Sequence, residues 1–196
     1  MLLIGLLAGG AVGYALRGAV GPRSDGGMPS GPADILGGQT GAGMGGGMGG
    51  PARGAMPPDV ANAISSYRAT LAKDPGNLEA NVGLGNLFFD ISRWQQAIEH
   101  YETALRTDPK NPDVRVDLGI CYHNLGQDDR ARQEMERVTR DNPDHRNAWL
   151  NLGVVSANMG DRATAIRAWE QYLKLDPSGP HASAIRAQIE DLKRGS

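Results

Sequence analysis

The sequence has almost no cysteine: Cys121 is the only one in 196 residues, so no intrachain disulfide can form. Cysteine use therefore assigns the chain to neither a reducing nor an oxidising compartment. An excess of charge of one sign is also absent. Twenty Lys and Arg stand against 22 Asp and Glu, a formal charge of −2, which excludes the strongly basic character of a nucleic-acid-binding protein. The four histidines, His100, His123, His145 and His181, are not closely paired with Cys, Glu or one another, so metal-ligand spacing is missing. There is no phosphate-cradling glycine loop and no nucleophile elbow. These absences together give an expectation of no enzyme, no cofactor and no metal.

What is present is divided along the length. Residues 1–56 hold 19 of the 28 glycines but only five charged residues, Arg17, Arg23, Asp25, Asp34 and Arg53. Residues 57–196 carry 17 basic and 20 acidic side chains, as a folded, mildly acidic domain would. The one long apolar run is Leu2–Leu16, read with its flanks as a helix over residues 1–20. At 1.5 Å per residue it reaches about 23 Å, a marginal span of a ~30 Å hydrocarbon core. No basic leader precedes it and no small-residue cleavage site follows, which favours an uncleaved single-pass anchor over a signal peptide. Gly5, Gly9 and Gly13 recur at four-residue spacing and could let two anchors self-associate. Arg17 and Arg23 after the span place the C-terminal domain in the cytoplasm by the positive-inside rule. Residues 21–58 form a Gly, Met and Pro-rich stretch, too poor in apolar side chains to repay ordering and read as a flexible linker. Its methionines Met28, Met44, Met48 and Met56 are too irregularly spaced to argue for a copper tract.

From residue 59 the chain is periodic. Proline falls at Pro75, Pro109, Pro143 and Pro177, each 34 residues after the last. Leu84-Gly85, Leu118-Gly119 and Leu152-Gly153 keep the same period, as do Ala63, Ala97, Ala131 and Ala165. A 34-residue period indicates stacked units of two helices, and the sequence closely resembles the tetratricopeptide repeat (TPR) family. Counted from Leu78, Pro112 and Arg146, the family pattern of Trp, Leu, Gly, Tyr, Ala, Phe, Ala and Pro is met in register in three units. The first unit supplies Asn81, Leu84, Gly85, Phe88, Ala97, Tyr101, Ala104 and Pro109. Asn81, Arg115, Ser156 and Tyr172 depart from the pattern and are expected to alter only local packing.

The resemblance implies an all-α solenoid of antiparallel helix pairs, with full units at 78–111, 112–145 and 146–179. Residues 59–75 show only the second-helix signature and read as an N-terminal half-repeat cap. Residues 180–196 read as a C-terminal capping helix with Ile185, Ile189 and Leu192 on its apolar face. Cys121 falls where the family buries a small side chain, so a structural thiol is expected.

Family members bind a partner in a concave groove lined by the first helices. Carried over position by position, the resemblance implies a partner-binding groove of Glu79, Val82, Asn86, Phe89 and Asp90 from the first unit. The second unit gives Asp113, Val116, Asp117, Ile120, His123 and Asn124, and the third Asn147, Leu150, Asn151, Val154 and Asn158. The set has four acids and no Lys or Arg, which suits a protein or peptide ligand with apolar and basic residues. The amides of Asn86, Asn124, Asn151 and Asn158 are expected to hold it. The family's clamp for chaperone C-terminal carboxylates is not expected. Asn86 matches it, but Val82, Asp117, Asn147 and Asn151 stand where Lys, Asn, Lys and Arg would be needed. The leading expectation is a non-catalytic, membrane-tethered scaffold that binds a protein or peptide partner in this groove. The alternative is a periplasmic assembly factor resembling the repeat subunits of bacterial cytochrome c maturation. Either way the expected location is single-pass in a bacterial inner membrane, cytoplasmic by the charge rule and periplasmic by resemblance. A homo-oligomer is compatible with both.

Overall fold

The computed structural model describes residues 58–195. Among them run eight helices and no strand: α1 Pro58–Leu71, α2 Leu78–Asp90, α3 Trp94–Thr107, α4 Pro112–Asn124, α5 Asp128–Asp141, α6 Arg146–Asn158, α7 Arg162–Leu175 and α8 Ala182–Arg194. Each packs on the next, so α2/α3, α4/α5 and α6/α7 form three antiparallel pairs between the end helices α1 and α8.

Local chemistry sets the helix ends. Asn77 and Asn111 cap α2 and α4, their side-chain oxygens accepting from the N–H of Ala80 and Val114 at 3.0 and 3.1 Å. His145 caps α6 at the same register through Nδ1. The turns within the second and third pairs use Gly126 and Gly160, at φ of 71° and 79°, where glycine carries no steric cost. The first pair places Ser92 at the equivalent position, at φ 57°.

Packing repeats with the same period. A Cβ added to Gly85 would meet the Tyr101 ring at 2.4 Å, one on Gly119 the Met135 methyl at 2.7 Å, and one on Gly153 the Trp169 ring at 2.2 Å. In each pair a large side chain of the second helix therefore rests on bare backbone of the first. Ala97, Ala131 and Ala165 are fully buried in the same crossings. Ala63 of the end helix α1 is half-buried.

At the family's Trp position the three units carry different side chains yet preserve one interaction. Asn81 Nδ2, Arg115 Nη2 and Trp149 Nε1 each donate to the carbonyl six residues earlier, that of Pro75, Pro109 and Pro143, at 3.0, 2.6 and 2.7 Å. Three different side chains tie the first helix to the preceding loop. The buried Arg115 is neutralised by Glu134 at 2.6 Å, so it does not stand as a lone charge in the core. Ser156 occupies the position of Phe88 and Tyr122, and its hydroxyl is buried without a hydrogen-bond partner.

The expected membrane location is corrected. Among the described residues no helix is long and apolar enough to cross a membrane. At 13 or 14 residues each helix is about 20 Å long, short of the hydrocarbon core, and each carries charged or polar side chains on its outer face. The anchor residues 1–20, with Gly5, Gly9 and Gly13, lie outside the described residues.

Gly153→Ala is expected to destabilise the domain by about 2 kcal/mol, because Trp169 has no room to yield. Ser156→Ala is expected to stabilise it by about 1 kcal/mol by removing an unbonded buried hydroxyl. Chemical denaturation of the two variants against wild type measures both, and shifts of the opposite signs would refute the packing assigned here.

Candidate functional site

The sixteen residues carried over as groove-lining lie along the first helices α2, α4 and α6, and burial divides them. Phe89, Val116, Ile120, Leu150, Asn151 and Val154 belong to the core, with Ile120 and Asn151 each 2% exposed. Five of these were expected to meet a ligand through apolar side chains and Asn151 through its amide; as they stand all six present almost no surface. The ten that reach the surface are Glu79, Val82, Asn86, Asp90, Asp113, Asp117, His123, Asn124, Asn147 and Asn158.

Hydrogen bonds fix several of these. Tyr101 donates its hydroxyl to Asn86 Oδ1 at 2.8 Å. Asn124 and Asn151 donate to the carbonyls of Ile120 and Asn147, one helical turn back, at 2.9 and 2.8 Å. The Asn151 amide is thus both buried and engaged, so the expected row of four ligand-holding amides is shortened. His145 Nδ1 accepts from the Ala148 N–H, so its Nε2 carries the proton and donates to Asp113 Oδ1 at 3.0 Å. That bond joins α4 to the start of α6.

Asp128, at the first turn of α5, is a residue that sequence reasoning missed. Its Oδ1 lies 2.6 Å from His123 Nδ1 and its Oδ2 accepts from Asn158 Nδ2 at 2.7 Å, so one carboxylate holds two groove residues from neighbouring units. Phe89 and Trp94 occupy the corresponding places one unit earlier and meet edge to face at 5.2 Å. The 34-residue register could have pointed to Asp128 through Trp94, but the change from an aromatic pair to a polar one hides the likeness.

Three titratable groups of the stack are shifted by their surroundings. Burial, reinforced by the Asp117 charge, pushes the Cys121 thiol far above its usual range. Burial also raises the Tyr122 phenol, together with its bond to Glu102 and that carboxylate's charge, against a smaller opposing effect of Arg130. Burial lowers His100, which stacks on Phe88 at 5.7 Å and contacts Asn81 Oδ1 through Nδ1. Among the described residues no group of three or more His, Cys, Asp or Glu could hold a metal ion.

Comparison with known proteins gives matches to three family models described as tetratricopeptide repeat, at residues 59–112, 92–150 and 147–179. No curated protein matches the sequence. A crystal structure of MamA is similar with a TM-score of 0.65 and 26% identity, covering 70% of this chain and 78% of that one. The first TPR of Spaghetti (RPAP3) bound to an HSP90 peptide is similar at TM-score 0.56 and 19% identity, covering 60% of this chain and 91% of that one. The TPR2B domain of yeast Sti1 in complex with pHsp70 gives 0.57 and 15%, covering 61% and 98%. At those lower identities the likeness to the last two is one of fold.

With its thiol held protonated in the core, Cys121 is expected to resist iodoacetamide in the folded chain and to take one equivalent after denaturation. Mass spectrometry of both samples reads this directly, and stoichiometric labelling under native conditions would contradict it.

Proposed function

We propose, on the premise that residues 59–179 of this chain belong to the tetratricopeptide repeat family, that it is a non-catalytic scaffold binding a peptide segment of a partner protein along its first helices. The matched models are of a protein-interaction repeat, and none describes an enzyme family. One observation carries the choice of ligand. Of the ten groove positions that reach the surface, Glu79, Asp90, Asp113 and Asp117 are acidic and none is Lys or Arg.

A row of one sign attracts the opposite sign, raises the rate of encounter and rejects acidic competitors. The ligand class is therefore a peptide with basic residues, whose apolar side chains can lie on the half-buried Val82 and on the stems between the acids. HSP90 and Hsp70 peptides are ligands of the similar structures named above. The present groove lacks basic side chains for an acidic chaperone tail, so a different peptide is proposed here.

The test is selection from a library of random dodecapeptides by wild type and by the exposed double variant Glu79→Lys, Asp90→Lys. Wild type is expected to enrich peptides that combine basic and apolar residues, with binding that weakens as salt rises. The double variant should bind the same peptides at least tenfold more weakly while melting at an unchanged temperature. Enrichment of acidic peptides, or identical selection by both proteins, would overturn the proposal.

A further inference from the structure

The 34-residue register allows one inter-unit groove to be compared with the next, residue by residue. Over α4, between α3 and α5, the chain fills the groove with its own guanidinium groups. Arg130 lies 3.9 Å from the centre of the Tyr122 ring and donates from Nη2 to the Tyr122 hydroxyl oxygen at 2.6 Å and to Glu102 at 3.3 Å. The Tyr122 hydroxyl itself donates to Glu102 at 2.6 Å. Beside this group Arg115 donates to Glu134 at 2.6 Å. Each guanidinium thus rests on a carboxylate, and one also covers an aromatic face.

One unit later the same positions read differently. Glu136 replaces Glu102, so the carboxylate is kept, but Thr164 stands for Arg130 and Trp149 for Arg115. Ala168 stands for Glu134 and Ser156 for Tyr122. Both guanidinium groups are gone, and an open pocket of about 340 Å³ appears, with Glu136, Trp149, Thr164 and Ala168 in its lining. Ser156 takes the register of Tyr122, and its short, fully buried side chain puts no ring over this space.

We infer that this pocket binds the guanidinium side chain of an arginine presented by a partner protein. The Trp149 indole supplies the aromatic face, held in place by its bond to the Pro143 carbonyl. Glu136 supplies the carboxylate, whose present cation is Arg132 on its own helix at 3.8 Å, a contact too long to satisfy it. Two other charges line the pocket. Glu170 is engaged by Lys193 at 3.2 Å and Arg167 donates to Thr164 Oγ1 at 3.0 Å, which leaves Glu136, with only its 3.8 Å contact to Arg132, as the carboxylate a guanidinium would meet. A planar fork that can stack and hydrogen-bond together fits this better than the compact ammonium of lysine. None of these residues belongs to the first-helix groove set, so the inference does not depend on the peptide reading above.

The test is NMR titration of the ¹⁵N-labelled full chain with the blocked tripeptide Ac-Ala-Arg-Ala-NH₂, the Trp149 indole resonance being assigned from Trp149→Phe. Saturable shifts are expected at the Trp149 indole N–H and the Thr164 amide. The uncharged citrulline analogue should bind at least tenfold more weakly, as should the arginine peptide to Glu136→Gln, an exposed change that leaves the fold intact. Thr164→Arg, which restores the chain's own arginine at the Arg130 register, should abolish the shifts while the spectrum stays dispersed. The groove variant Glu79→Lys, Asp90→Lys should bind the tripeptide as wild type does. Equal binding of citrulline, full binding by Glu136→Gln, or loss of binding in the groove variant would each overturn the inference.

Discussion

The contact on which the rest of the solenoid depends is that between a glycine in each first helix and a large side chain in its second. Tyr101 on Gly85, Met135 on Gly119 and Trp169 on Gly153 bring each helix pair together at a distance that any Cβ would increase. At that separation only alanine fits the neighbouring crossing, and Ala97, Ala131 and Ala165 are fully buried there. The close pair in turn aims one row of first-helix residues outward, which is how a packing constraint comes to define the candidate groove.

A second, weaker constraint fixes how one unit meets the next. The carbonyls of Pro75, Pro109 and Pro143 each receive a donor from six residues on, an amide in the first unit, a guanidinium in the second and an indole in the third. The donor is needed and the rest of the side chain is free. That freedom lets the chain vary the surface between units without loosening the stack. It underlies the difference between a groove sealed by Arg115 and Glu134 and one left open beside Trp149 and Ala168.

Two surfaces of distinct character result. In the first-helix row Asp113 accepts from His145 at the start of α6, and Asp128 of α5 bonds the row's His123 and, in the next unit, Asn158. Such bonds pre-organise the row, so less order has to be gained when a ligand arrives. The third-unit pocket is instead local, lined by one indole and a few side chains of α5, α6 and α7. A scaffold with one extended and one point-like site could engage two segments of the same partner, raising the effective concentration of the second.

The 34-residue spacing of proline, Leu-Gly and alanine was sufficient by itself to specify helix number, pairing and stacking order, because each of those residues acts through short-range sterics that hardly depend on distant neighbours. The same is true of Cys121 as a buried thiol. Groove membership was legible only in part. Glu79, Asn86 and Asn158 reach the surface as the resemblance implies, whereas Ile120, Leu150 and Asn151 are buried. Burial is a sum over elements far apart in sequence, and a single helix's pattern does not contain it. Nor could spacing alone show that Arg130 reaches Tyr122 and Glu102, or that its replacement by Thr164 leaves a pocket. Those features depend on the directions of long side chains from three helices, which only the packed stack decides.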